Sequence, residues 1–222
     1  MYSPWKLRKE MIHFSKLIYE RNLSSATDGN LSCKIADERI LITPSGLHKG
    51  FLNQDDLVVI DLEGKKVSGK NLPSSEYNTH LYIYKNRKDV QAIVHAHPPY
   101  CIAFTVAGVP LDTEALPEVI LSLGKIPVAP YSTPSSKESG YAIENLIQDH
   151  DAFILSHHGS VTLGKNLSEA YNRLERIEHA AHILFLSQQL GGVQKLPQAE
   201  VLKLIKHGQN LGFLKPPSLR GA

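Results

Sequence analysis

The stretch that most restricts this chain is Ala92-Ile93-Val94-His95-Ala96-His97-Pro98-Pro99. An apolar run of this length reads as a buried strand, and the two prolines stop it because proline donates nothing to a ladder. Alternate strand side chains share a face, so Val94 and Ala96 point one way and Ile93, His95 and His97 the other. Two imidazoles about 6–7 Å apart at Cα can converge on one metal ion. A His-x-His alone is weak evidence, since polar residues commonly close a strand. Two further stretches strengthen it. Pro73-Ser74-Ser75-Glu76 opens a helical pattern, and Ile154-Leu155-Ser156-His157-His158-Gly159 ends another apolar strand. Each offers an additional ligand, and a catalytic zinc usually takes three protein ligands and keeps one position open.

The remaining chain alternates helix and strand signals within 222 residues, enough for one large domain. Pro4 follows Ser3, a cap and first-turn pair, and Leu7, Met11, Phe14 and Ile18 make an apolar helical stripe. Strands are expected over 31–35, 39–43 and 57–62. Helices are expected from Ser74 or Ser75 through Tyr84, over 100–106, and from Ser135 through Ile147. Leu123 to Val128 reads as a strand, 152–156 as another, and 161–164 as its hairpin partner. The longest helix starts at Ser168 and stops at Gly191-Gly192; a shorter one covers 198–207. Pro216-Pro217 begins a tail over 215–222, leaving 1–214 as the domain.

Two loops lie at the outer ends of the first hairpin, Gly29-Asn30 and Ser45-Gly46. Such small polar segments expose the N–H and hydroxyl donors an anion needs, though plain turn chemistry gives the same composition. Ser74 and Ser75 at a helix start suit a phosphate as well. Glu76 in that first turn complements the helix dipole, or serves as a carboxylate that takes or gives a proton. His80, one turn on, reads as a packing or solvent residue. His13 reads as a surface residue, and His179 as the i,i+4 partner of Glu175.

A formal net charge of +2 does not point to a nucleic-acid or polyanion binder. No apolar run is long enough for a membrane span, and the first residues lack a signal-peptide core. With only Cys33 and Cys101, a disulfide scaffold is excluded and a cytoplasmic location is expected.

Taken in order, Gly29-Asn30-Leu31-Ser32, Thr43-Pro44-Ser45-Gly46, Pro73-Ser74-Ser75-Glu76, His95-Ala96-His97 and His158-Gly159 resemble the motifs of the class II aldolase/adducin family. The resemblance runs from the first helix to Gly191-Gly192. It implies an α/β fold, a single domain whose central, mainly antiparallel sheet is flanked by helices. It implies one Zn²⁺ per subunit, held by His95, His97 and His158 with Glu76 beside it, and it prefers His158 over His157. It also implies Glu76 as acid/base, and a substrate phosphate held by Gly29, Asn30, Ser45, Gly46, Ser74 and Ser75. The implied reaction is aldol cleavage of a phosphorylated ketose of the fuculose 1-phosphate or ribulose 1-phosphate type, in a homotetramer with active sites between subunits. Dehydratase, 4-epimerase and decarboxylase chemistry on the same fold, and a non-catalytic adducin-like module, are the alternatives. One departure stands out. A tyrosine acid used by the family's best-known enzyme has no counterpart between Leu111 and Lys125, where Glu114 and Glu118 are the ionisable residues and Glu118 lies nearer the expected position. Nor is that enzyme's C-terminal tyrosine matched; Phe213 is the nearest aromatic.

Overall fold

The structure, a computed structural model, describes residues 4–136 and 138–214. In chain order the elements are α1 (Pro4–Glu20), β1 (Asn30–Ala36), β2 (Arg39–Ile42), β3 (Val58–Ile60), β4 (Lys66–Ser68), α2 (Tyr77–Asn86), β5 (Ala92–Ala96), α3 (Pro99–Val106), α4 (Pro117–Leu123), β6 (Val128–Ala129), α5 (Glu138–Ala142), β7 (Ala152–Leu155), β8 (Gly159–Gly164), α6 (Leu167–Gln189) and α7 (Gln198–Asn210). The strands form one sheet in the order β4-β3-β2-β1-β5-β8-β7-β6. Every pairing is antiparallel except β6 with β7, the mainly antiparallel sheet expected.

Two apolar layers enclose the sheet. On one face Leu31, Cys33, Val94, Ala96 and Ile154 pack against Leu7, Met11 and Ile18 of α1 and Leu174, Ile177, Ala181 and Leu184 of α6. On the other, Ile40, Ile60, Ile93, Phe153 and Val161 pack against Leu81, Ile83 and Tyr84 of α2 and against Ile143 and Ile147. The alternation along β5 is therefore the one its sequence dictates: Val94 and Ala96 serve the α1/α6 layer, and Ile93 serves the α2 layer. Because β5 is buried on both faces, only its C-terminal end leaves the core, and that end carries the histidines.

Several expectations are corrected. Residues 123–128 do not form a strand. Pro117 sits at the start of α4, where its missing N–H costs nothing, and Gly124 ends that helix with φ 64°. Only Val128–Ala129 is extended, beside β7. The helix expected to reach Ile147 stops at Ala142 and continues as hydrogen-bonded turns that still bury Ile143 and Ile147. Strand β4 had no apolar signal because all three of its residues are exposed at the sheet edge. Glu175 bonds Arg21 and the Tyr171 hydroxyl, and His182 stacks on Tyr100. The Ser3 cap and the 215–222 tail lie outside the described residues. Among the described residues, no helix is long and apolar enough to cross a membrane.

Candidate metal centre

Three strand ends and one helix start meet at one edge of the sheet. Asn30 opens β1 directly opposite His95 on β5, and the β7–β8 turn lies on the other side of β5. In that turn His157 takes the left-handed conformation, φ 60°, which throws its ring to solvent and turns His158 inward. Gly159 comes next because nothing larger fits. A Cβ there would lie 2.4 Å from the Ala96 carbonyl oxygen and 2.9 Å from His97 Cδ2.

As a result His95, His97 and His158 surround one point. Their ring centroids are 4.9, 4.8 and 4.9 Å apart, nearly an equilateral triangle. The Nε2 atoms of His95 and His97 are 3.1 Å apart. Glu76, the residue that precedes α2, closes the fourth side: Oε2 lies 3.2 Å from His95 Nε2, and Oε1 lies 3.3 Å from His158 Nε2. One ligand atom from each of the four falls within 4.8 Å of every other.

The surroundings orient these groups. His95 Nδ1 lies 2.9 Å from the Ser160 carbonyl oxygen, so Nδ1 carries the proton and the Nε2 lone pair faces the centre. The His97 backbone N–H donates to Ser24 Oγ, and Asp28 Oδ2 lies 3.8 Å from His97 Nδ1. Asn30 Nδ2 donates to Glu76 Oε2 at 2.8 Å. Burial raises the Glu76 carboxyl, but the pull of His95, His158 and His97 outweighs it and holds the group well below the usual carboxylate range. Burial, then the neighbouring His95 and His158, pushes the His97 imidazole down to about 3. His158 moves the same way for the same first cause. For His95 burial is overcome by Glu76, and its affinity for a proton rises. The four groups are placed so that a divalent cation would supply the positive charge that this cluster attracts.

Beside the cluster, the two small polar loops and the α2 start form one wall. The Ser45 N–H donates to the Leu72 carbonyl and the Ser74 N–H to the Thr43 carbonyl, which zips 43–46 alongside 72–74. Thr43 Oγ1 accepts from the Leu31 N–H and ties in the Gly29-Asn30 turn. Gly29 has φ 73°, and a Cβ there would meet the His95 carbonyl oxygen at 2.8 Å. Gly46 has φ 69° with open space beyond it; Ser45 and Ser75 are exposed, and Ser74 is buried, accepting from the Glu76 N–H. Six residues expected around a phosphate thus share one ledge next to Glu76.

Glu118 is not brought to this cluster. It is exposed on α4 and faces a 670 Å³ groove shared with Arg21, Tyr100 and His179 of the α1/α6 layer. Glu114 pairs with Lys195, and Phe213 lies beside Arg87 and Arg173, again away from the histidines. Two buried groups lie close by: His80, for which packing was one of the two expected places, and Lys49, which sequence reading missed. His80 is fully enclosed, its Nδ1 2.6 Å from Ser32 Oγ, which in turn meets the Tyr84 hydroxyl at 2.8 Å. Lys49 is enclosed between the two loops, its ammonium on the Thr27 and Leu47 carbonyls. Neither burial leaves a trace in a linear pattern.

Comparison with known proteins agrees with this arrangement. The family model described as Class II Aldolase and Adducin N-terminal domain matches residues 9–185. The chain is 39% identical to an L-fuculose phosphate aldolase of Methanococcus vannielii, over 79% of this chain and 93% of that one. It is 32% identical to a 5-deoxy-D-ribulose 1-phosphate aldolase of Bacillus thuringiensis, over 93% and 97%. It is 35% identical to a 3-oxo-tetronate 4-phosphate decarboxylase of Pectobacterium atrosepticum, over 83% and 86%. A solved L-fuculose 1-phosphate aldolase superposes with a TM-score of 0.84 at 32% identity, covering 94% of this chain and 98% of that one. Sheet order, histidine cluster and these likenesses converge: the chain belongs to the class II aldolase and adducin family.

Proposed function

We propose that the protein is a zinc-dependent aldolase that cleaves a phosphorylated ketose to dihydroxyacetone phosphate and an aldehyde. The carrying observation is the His95–His97–His158 triangle with Glu76 across it. The donor set fits a borderline cation of tetrahedral preference. Three neutral imidazoles and a carboxylate are typical zinc ligands, and the Ser160 carbonyl fixes the His95 tautomer that leaves Nε2 free. His95, His97 and His158 would hold one Zn²⁺ per subunit, with Glu76 beside it. When bound, zinc supplies Lewis-acid stabilisation of negative charge on the substrate's adjacent carbonyl and hydroxyl oxygens.

The chain's own residues do the rest. Gly29, Asn30, Ser45, Gly46, Ser74 and Ser75 bind the phosphate, and binding energy spent there positions the carbon skeleton. Cleavage breaks the bond between C3 and C4. The C4 hydroxyl proton passes to the carboxylate of the aldehyde-side acid/base as the aldehyde forms, and the electron pair remains on the three-carbon fragment as an enediolate. Glu76, ionised at rest, takes up a proton from solvent and delivers it to the hydroxymethyl carbon of that enediolate, which completes dihydroxyacetone phosphate. Asn30 Nδ2 holds its Oε2 in place for this. Glu118, remote from the centre of its own chain, acts as the aldehyde-side acid only from a neighbouring subunit, in keeping with a homotetramer whose sites lie between subunits. Both cysteines are free and buried, which suits the cytoplasm.

A ketose 1-phosphate panel tests this. Zinc-loaded enzyme should release dihydroxyacetone phosphate, read by coupled NADH oxidation. Glu76→Gln should retain zinc and lose proton exchange at the hydroxymethyl carbon of dihydroxyacetone phosphate. Exchange at the wild-type rate would remove Glu76 from this role. The likeness to a decarboxylase favours a second reading: release of CO₂ from a 3-oxo acid phosphate, with no turnover of the ketose panel, would replace the aldolase reading.

A further inference from the structure

Lys49 is the first residue of a short 3-10 turn, Lys49–Phe51, just beyond the Ser45-Gly46 loop. Its side chain is inside the protein, with the whole residue only 2% exposed. The ammonium donates to the Thr27 carbonyl at 2.7 Å and to the Leu47 carbonyl at 3.0 Å. The Lys49 backbone N–H adds a third tie, to the Ala26 carbonyl. These partners belong to the two segments that form the lips of the ledge: Ala26–Thr27 leads into Gly29-Asn30, and Leu47 is next to Gly46. Among the described residues, no carboxylate is within ion-pair reach of this ammonium, and both side-chain partners are neutral.

A buried cation without a counter-ion is costly, and lysines are rarely enclosed unless paired. Burial pulls this one down to about 8, against the opposing influence of Asp28 and Glu76. The same carboxylates create a second problem. Asp28 and Glu76 both border a ledge meant for a dianion, and their charges repel it. A protonated lysine bonded to the backbone of both loops offsets that repulsion, and a bound dianion in turn supplies the charge that the lysine lacks.

We propose that Lys49 is the built-in counter-charge for the substrate's phosphate and the tie that keeps the two lips of its pocket in register. This rests on the ledge being a phosphate site, not on the identity of the bond cleaved. Lys49 is a positioning residue: it works through the two loops and through its field.

Inorganic phosphate is the probe. Zinc-loaded wild-type protein should bind it by calorimetry, and Lys49→Met should weaken that binding by about tenfold or more while zinc stoichiometry is unchanged. On the ketose phosphate turned over by the wild type, the same variant should raise KM by a similar factor and leave kcat within about threefold. Should Lys49→Met fail to fold, wild-type protein carrying ¹³C at lysine Cε decides. The Lys49 resonance should move on phosphate addition along the calorimetric binding curve. A wild-type phosphate affinity retained in Lys49→Met overturns the proposal, as does a Lys49 resonance that stays fixed while phosphate binds, or wild-type protein that binds no phosphate. Phosphate binding that depends on Lys49, in a protein that cleaves no ketose phosphate, would overturn the aldolase reading and leave this one standing.

Discussion

Gly159→Ala isolates the packing that shapes the histidine cluster. Gly159 starts β8, pairs with Leu155 across the tight turn, and lies against the end of β5. The new methyl would stand 2.4 Å from the Ala96 carbonyl oxygen, 2.9 Å from His97 Cδ2 and 3.1 Å from His95 Cε1. Ordinary contact starts at 3.4 Å, so the carbonyl must retreat by about 1 Å (3.4 − 2.4), and both rings must give way too. The backbone there is not left-handed, so alanine meets no conformational penalty and the effect is steric. Overpacking of this kind costs about 1–3 kcal/mol of stability. The larger effect falls on the metal, because zinc–ligand distances tolerate only about ±0.2 Å. Zinc affinity should drop by about 10–100-fold, the range seen when a ligand's support is lost. Competition against a chromophoric chelator measures the affinity, and thermal unfolding in EDTA measures the apoprotein's stability. Gly46→Ala is the control: it strains a left-handed residue but meets no atom within 4 Å, so zinc affinity should stay at the wild-type level. A Gly159→Ala protein with wild-type zinc affinity would refute the claim that these rings are held in place by the glycine.

Two further outcomes are expected from buried polar groups. His80 is held at about 3 by burial, and then by His95, against an unfolded value near 6.5. The unfolded chain therefore binds a proton between pH 6.5 and 3 that the folded chain refuses, so stability rises with pH across that window and is lost as pH falls. Between pH 7.5 and 5 the apoprotein should lose about 2 kcal/mol from this group (about 1.4 × 1.5), and His80→Gln should remove that part of the slope; an unchanged slope would refute it. Glu178 accepts from the Tyr100 and Cys101 N–H groups, both at 3.0 Å, and so caps α3 from within α6. Glu178→Gln should lower stability by about 1.5–3 kcal/mol in urea titration with zinc content intact; a loss under about 0.5 kcal/mol would show that the cap contributes little.

Much of the fold was legible because it rests on apolar period. The α1 and α6 stripes, the β5 run and its proline stop each pointed to the right element. What escaped was structure with no such period. The helix that Pro117 begins was not foreseen, and a strand was expected just after it, since a first-turn proline and a loop proline are told apart only by the conformation of the residues after them. Lys66–Ser68 is a strand held by edge hydrogen bonds alone. At the site, the histidines, Glu76 and the small polar loops were legible as motifs because strand ends and tight turns need particular residues. The enclosed Lys49 was not, and His80 was left between packing and solvent, because burial of a polar side chain depends on which distant segments close over it. The expected second acid shows the same limit: Glu118 was selected by its place along the chain, and α4 carries it to a different groove.

Anomalous diffraction at the zinc edge, on crystals of zinc-loaded protein, tests the central claim most directly. The account predicts a single anomalous peak per chain, with His95, His97 and His158 each donating Nε2 at about 2.0–2.1 Å. No peak within the triangle, or a peak bonded by fewer than three of these imidazoles, would contradict it.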